Sequence, residues 1–278
     1  MNMNNKLTII GAGRRVQQDL IPVLTDLGYS QNNISIYAKS KRRIFVRNTF
    51  YEVSNINNLN RDSIEDFIYI AIPSKSVYKT LDKVFKINSE AKVIVDTPIL
   101  SSEIVNNFSD KDICVAEDAA FLSKYLIKNK TLLLYNILYM DRSAYFYHGI
   151  AFIESILSEI FFHFSLFSFY FAFCKKGVAI IRGPNNYEKG NIYLNFKAIP
   201  FPNLSKSEVN LIGGLSNFDS VSFRFLDLKR LGLKLLVRDF FEDKGHLISL
   251  KIAYSHFSKS KMINIYIDTL KKVVKSLF

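Results

Sequence analysis

The stretch Lys6–Leu24, KLTIIGAGRRVQQDLIPVL, limits what this chain can fold into more than any other. It reads as a short apolar strand, a glycine turn and a helix. That order builds a pocket for a phosphate. Gly11 permits a tight turn straight off the strand, and Gly13 has no side chain to keep a pyrophosphate from the backbone. The helix that follows aims its free N–H groups, and the positive end of its dipole, at the anion. Val16 stands where G-x-G-x-x-G has its third glycine, so the helix is expected to sit slightly further from the strand. Arg14 and Arg15 put two cations beside the pyrophosphate site.

The pattern then alternates. ISIYA (34–38), a short run at 51–54, FIYIAI (67–72), 91–95 and 113–116 read as strands. Between them lie a polar helical turn over 62–66 with Asp62 as its cap, an amphipathic helix over 76–85, and a short helix over 101–108 capped by Ser101 or Ser102. Strand and helix in alternation to about residue 120 predict a Rossmann-type, doubly wound parallel sheet, which collects ligands at the carboxyl ends of its strands. Those exits are Gly11–Arg15, Ala38–Arg43, Pro73–Ser76, Asp96–Pro98 and Glu117–Phe121. The second exit carries no carboxylate for ribose hydroxyls. It reads Lys39-Ser40-Lys41-Arg42-Arg43, where Lys39, Ser40 and Arg42 suit a 2′-phosphate. This favours NADP, with NAD possible; the alternative is that these residues are the solvated start of a helix.

After residue 120 the pattern changes. A helix is expected over 122–126 and a strand over 131–139. A buried helix is expected to run to about Phe162, followed by a phenylalanine-rich strand from roughly Leu166 to Cys174. Further strands are expected over 178–182, 192–198, 222–226, 231–240 and 247–252, and an amphipathic helix over 262–277 that can pack back on the first domain. This describes an α+β domain with a mainly antiparallel sheet. The division expected is 1–120 for the dinucleotide-binding domain and 121–278 for the substrate domain, whose sheet could form a homodimer interface.

Composition narrows the partners. Lys plus Arg number 37 against 25 Asp plus Glu, a net charge of +12 in 278 residues, which favours anionic small molecules. No run of five basic residues and no nucleic-acid-binding module is present, so no nucleic acid is expected. The apolar stretch 149–173 is long enough to span a bilayer but is interrupted by Glu154, Glu159 and His163, so no membrane span is expected. Cys114 and Cys174 lie far apart, with no C-x-x-C and no zinc-ligand spacing. They are expected to be reduced thiols in a cytoplasm, Cys114 in the core, with no metal. The start MNMNNK leads into a strand with no signal-like apolar region, in keeping with that compartment.

In order along the chain, GAGRRVQQDLIPVL, IAIPS, KVIVDTPIL, VAEDAAF and YHGIAFIESIL resemble segments of the glucose–fructose oxidoreductase / inositol dehydrogenase family of nicotinamide-dependent enzymes. The resemblance covers residues 6–155. It implies a cofactor lined by Ile72, Pro73, Ser74, Asp96 and Pro98, and hydride transfer at a carbonyl, hydroxyl or imine carbon of a small, anionic metabolite. Three positions depart from the family. Thr97 stands where the family's Glu-Lys-Pro has lysine, Ser74 where an asparagine is frequent, and Ala151 where the family's histidine aligns. Branches lacking the lysine, such as the biliverdin reductases and thiazolinyl imine reductases, reduce unsaturated carbon or imine groups.

The candidate catalytic set is therefore His148 as proton donor, with Tyr147 beside it and Thr97 as a hydroxyl donor. Glu117, Asp118 and, more weakly, Lys124 are candidates to orient substrate. The other reading is a catalytically lapsed nucleotide-binding protein that regulates or partners a pathway enzyme.

Overall fold

Nearly every apolar run in the first 116 residues becomes a strand, and the reason lies in the register. The computed structural model describes residues 5–118, 120–121, 136–141, 146–166, 169–182, 192–194, 197–198, 225–243 and 248–260. They fall into two units. One holds the described residues up to Glu117 and those of 233–254; the other holds those from Asp118 to 198, 225–232 and 255–260.

The first unit contains β1 (Leu7–Ile10), β2 (Ile34–Ala38), β3 (Arg42–Val46), β4 (Thr49–Asn55), β5 (Phe67–Ile70), β6 (Lys92–Asp96) and β7 (Ile113–Ala116). They form one sheet in the order β3-β4-β2-β1-β5-β6-β7, parallel except for the β3–β4 pair. Pairing puts Ile9, Ile36, Tyr69, Ile94 and Cys114 on one face and Ile10, Tyr37, Ile70, Val95 and Val115 on the other. The second face packs under α2 (Val77–Ile87), α3 (Ser102–Phe108) and the start of α6 (250–260), through Leu81, Val84, Ile104, Phe108 and Leu250. Burial of side chains such as Leu81 and Val84 contributes roughly 1.5–3 kcal/mol each. The first face meets the end of α5 (Phe225–Phe241), where Phe67 packs against Phe240 and Phe241 with ring centroids 5.5 and 4.9 Å apart. Strands covered on both sides need apolar residues at every position, which is why these runs carry no alternation.

The helix after β1 begins at residue 14 and opens into a wide π turn over Val16–Leu20, where the Ile21 N–H bonds to the Val16 carbonyl. It continues as regular α1 (Ile21–Asp26). Pro22 accounts for the wide turn. A proline has no N–H for the carbonyl four residues back, and its ring would strike that carbonyl in a regular helix. Gly28, at φ 86°, ends α1, with the Tyr29 N–H closing on Leu24 O at 2.9 Å.

Several sequence expectations give way here. The segment after β2 is no helix start but β3, folded back on β4 through Arg47 and Asn48 at φ 49° and 63°, as a tight hairpin requires. At 60–63 the capping side chain is Asn60, which accepts from the Ser63 N–H at 3.0 Å, rather than Asp62. Ser101 caps α3 by accepting from Glu103 N–H.

The second unit's sheet has the order β13-β12-β8-β11-β10-β9, built from β8 (Asn136–Asp141), β9 (Ile160–Leu166), β10 (Phe169–Cys174), β11 (Gly177–Arg182), β12 (Ile192–Leu194) and β13 (Lys197–Ala198). Only β8 and β11 pair in parallel. Its inner face, with Tyr170, Ala172, Ala179, Ile181 and Met140 buried, lies against α4 (Phe146–Leu157). α4 stops at Leu157, not near Phe162, because Ser158 takes a left-handed φ of 66° and the chain turns back as β9. The expected strand at 231–240 is part of α5. Leu231, Leu233 and Leu235 imitate strand alternation, whereas the helical period shows only in the cations Arg230, Lys234 and Arg238, four apart, the last two of them buried with the rest of 231–240. Phe225 and Leu226, expected in a strand, also belong to α5. The 247–252 strand reduces to one antiparallel bridge, Ser249 with Cys114, before α6. The expected helices at 122–126 and 262–277 lie outside the described residues. No described helix is long and apolar enough to cross a membrane.

Candidate active site at the strand exits of the first sheet

β1 stands between β2 and β5, where the strand order reverses, so its carboxyl end opens on the crevice that parallel sheets use for ligands. The glycine turn begins there. Gly11 has φ 124°, donates to Tyr37 O at 2.7 Å, and would drive a Cβ to 2.0 Å from Ala71 O. No other residue fits this junction of β1 with the β5 exit. Gly13 is different: a Cβ there would meet nothing within 4 Å. Its missing side chain leaves open space in front of the backbone, at the start of a helix, where the first N–H groups have no carbonyl of the same helix to bond. Gln17 secures the turn from behind, its amide donating to Ala12 O at 2.8 Å and its backbone N–H to Gly13 O at 3.1 Å.

Ala12 O accepts a second donor, Nη2 of Arg42 at 3.0 Å, while Nη1 of Arg42 lies 3.3 Å from Ser40 Oγ. The β2 exit and the glycine turn are thereby joined by a guanidinium, with exposed Lys39 and Lys41 alongside. β3 places Arg42 there: the hairpin starts immediately after the exit, so this arginine stays near β1 instead of being carried off by a helix. Arg14 is exposed and donates to Gln18 Oε1 at 2.6 Å. Arg15 turns to carboxylates, 3.4 Å from Asp19 and 3.3 Å from Asp96. Asp96, the last residue of β6, is also reached by the Tyr69 hydroxyl at 3.5 Å. The cis Thr97–Pro98 bond follows it. Ile72 lies beside Gly11, its Cγ2 3.4 Å from where a Cβ would be, and Pro73 and Ser74 continue that exit.

Of the residues expected from sequence, the first unit brings Gly11, Gly13, Arg14, Arg15, Ser40, Arg42, Ile72, Asp96 and Thr97 to the carboxyl ends of neighbouring strands. Gln17 and Tyr69 are additions. Their only trace in the sequence was a polar residue four places after Gly13 and a tyrosine inside an otherwise aliphatic strand. Glu117 closes β7 and is buried. In the second unit Asp118 is buried too, and its carbonyl lies where a Cβ on Gly232 would come within 1.8 Å. Tyr147 and His148 sit buried in the first turn of α4, with ring centroids 4.0 Å apart. Lys124 lies outside the described residues. The two thiols are buried and free, and burial raises both, Cys174 to about 12 with the Glu154 carboxylate adding to the effect. They are packing residues, not nucleophiles. No group of metal-ligating side chains occurs among the described residues.

The exits suit a dinucleotide: open space at Gly13, helix N–H groups, and a cationic rather than acidic β2 exit. No protein-family model matches the chain, and no curated protein does. Solved structures do. A probable dehydrogenase from Thermotoga maritima superposes with a TM-score of 0.62 at 11% identity, covering 95% of this chain and 97% of that one. A dehydrogenase from Clostridium difficile gives 0.57 at 12%, covering 94% and 98%. The scyllo-inositol dehydrogenase from Lactobacillus casei, solved with NAD(H) and scyllo-inositol bound, gives 0.55 at 12%, covering 95% and 96%. At such identities the likeness is one of fold. The expected architecture, a Rossmann-type domain followed by an α+β domain with a mainly antiparallel sheet, is the one this chain shares with those dehydrogenases.

Proposed function

We propose that this chain is an NAD(P)-dependent oxidoreductase that prefers NADP and acts on a carbonyl, hydroxyl or imine carbon of a small anionic metabolite. One observation carries the reading. At the point where the strand order reverses, a glycine turn required by its backbone (Gly11) is followed by a glycine facing open space (Gly13). A bound nicotinamide would supply or accept the hydride. The chain's own residues bind and orient it. The helix N–H groups after Gly13 face the pyrophosphate, Arg42 with Ser40 and Lys39 faces the 2′-phosphate, and Ile72, Pro73, Ser74 and Pro98 line the nicotinamide end. His148 donates a proton to the reduced substrate with Tyr147 beside it, Thr97 donates a hydrogen bond, and Glu117, Asp118 and Lys124 orient the substrate. The free, buried thiols accord with a cytoplasmic setting. The exposed Phe162, Phe164 and Leu166 of β9 support a homodimer formed through the second sheet.

Titration with NADPH and NADH, followed by nicotinamide fluorescence, tests the reading. Binding of NADPH ahead of NADH is expected, and no binding of either at millimolar concentration refutes it. With a substrate from a panel of keto acids and imines, His148→Ala should lose turnover while keeping cofactor affinity. Thr97, in the place of the lysine, favours a second reading in which the pocket binds nucleotide without chemistry. Tight NADPH binding with no turnover across the panel would select it.

A further inference from the structure

Arg15 was expected to face the pyrophosphate, yet its guanidinium lies between two carboxylates. Nη1 is 3.4 Å from Asp19 and Nε is 3.3 Å from Asp96, with all three side chains about one-fifth exposed. Asp19 belongs to the same helix, one turn on. Asp96 belongs to β6, on the far side of β5 from β1. Tyr69, buried in β5, reaches the same Asp96 oxygen from the strand between them. A carboxylate at this exit is a liability in any pocket meant for anions, since half-buried charges a few ångströms from a phosphate repel it through a reduced dielectric. Arg15 lies against that carboxylate.

We propose that Arg15 is a positioning residue rather than a phosphate ligand. It ties the glycine turn to the Thr97–Pro98 loop through Asp96 and offsets the negative charge of Asp96, so that the crevice accepts an anionic cofactor. The effect on binding rests on the cofactor reading above; the tie does not. An arginine suits the task, because its fork can engage carboxylates on two elements at once.

Two measurements on the full-length protein separate this role from direct contact. The first is amide hydrogen exchange of residues 94–97, the paired end of β6 and the start of the loop, without nucleotide. Arg15→Met should speed it about tenfold or more, because an unlinked exit opens more often, and Arg15→Lys should restore part of the protection. Unchanged exchange in Arg15→Met overturns the proposal. The second is a double-mutant cycle on NADPH affinity. Arg15→Met should weaken binding about tenfold, and adding Asp96→Asn to it should recover most of the loss, since the unopposed charge is gone. If Arg15 touched phosphate, the loss would persist in the double variant, and the proposal would fall. Should the wild type bind no nicotinamide cofactor, the functional reading fails and the exchange measurement alone decides the tie.

Discussion

In the first sheet β1, β5 and β6 are buried on both faces, whereas β9 and β10 of the second sheet turn aromatic rings outward. Phe162, Phe164 and Leu166 are 54%, 40% and 53% exposed. Phe164 stacks on Phe171 across the strand pair at 4.9 Å, and Phe162 meets Phe173 at 5.7 Å. Both sheets are apolar, but the first uses its apolar residues to hold loops in place, while the second presents a surface. The backbone contacts follow the same division. The close approach in the first sheet, Gly11 against Ala71, lies at the strand exits; those of the second unit hold strand and helix pairs together, as at Gly177 against Asn136 and Gly232 against Asp118.

The comparison breaks most sharply at glycines. Gly11→Ala and Gly232→Ala should each destabilise by about 3 kcal/mol or more, because the new methyl would meet a backbone carbonyl at 2.0 or 1.8 Å and backbone cannot yield as a side chain does. Chemical denaturation reads this directly. Gly13→Ala should leave the denaturation midpoint unchanged and weaken NADPH binding about 30-fold, roughly 2 kcal/mol. A stability loss at Gly13, or intact binding, would remove the open-space argument.

For the second sheet, Phe164→Glu should leave the fold standing and convert a dimer to a monomer in sedimentation; a wild type already monomeric at micromolar concentration would sink the dimer reading. Smaller effects are expected at buried charge. Lys234, on α5, is 4% exposed in its side chain and only 3.7 Å from Asp26, which Arg47 already engages. Burial lowers its pKa, with Asp26 opposing. Lys234→Met should therefore be neutral or stabilise by up to about 1 kcal/mol, and a large loss would show that the Asp26 contact matters more than desolvation.

The smallest effect should be at His163 on β9. Burial lowers its pKa below 6.5, so the folded state disfavours the charged ring. Its contribution is complete above pH 6.5 and is lost as pH falls through the lowered folded value. Partial exposure limits this to a shift of about 1 °C in the thermal midpoint, which His163→Gln should abolish.

Legibility in the sequence followed the same division. The glycine turn, β5, β6 and the α2 and α3 helices were readable because each is set by local chemistry: a required φ, a two-faced burial, a cap, an amphipathic stripe. The β3 hairpin was missed because its cations hid a strand that alternates only at Ile44 and Val46. α5 was missed because the alternation of Leu231, Leu233 and Leu235 masks the helical spacing of Arg230, Lys234 and Arg238. At the site, the identities of Gly13, Arg42 and Asp96 could be read, but not their partners. Near Gly13 in sequence, Arg15 reads as a phosphate ligand; in the fold it lies against Asp96, 81 residues further on.

By itself the sequence determined that a strand, a glycine turn and a helix open the chain, and that apolar runs alternate with helices as a parallel sheet demands. These are consequences of backbone sterics and periodicity, which act over a few residues. Only the tertiary structure decided which face of each sheet is covered and where the guanidinium groups of Arg15 and Arg42 go. Those depend on which distant strands become neighbours, and no local spacing encodes that.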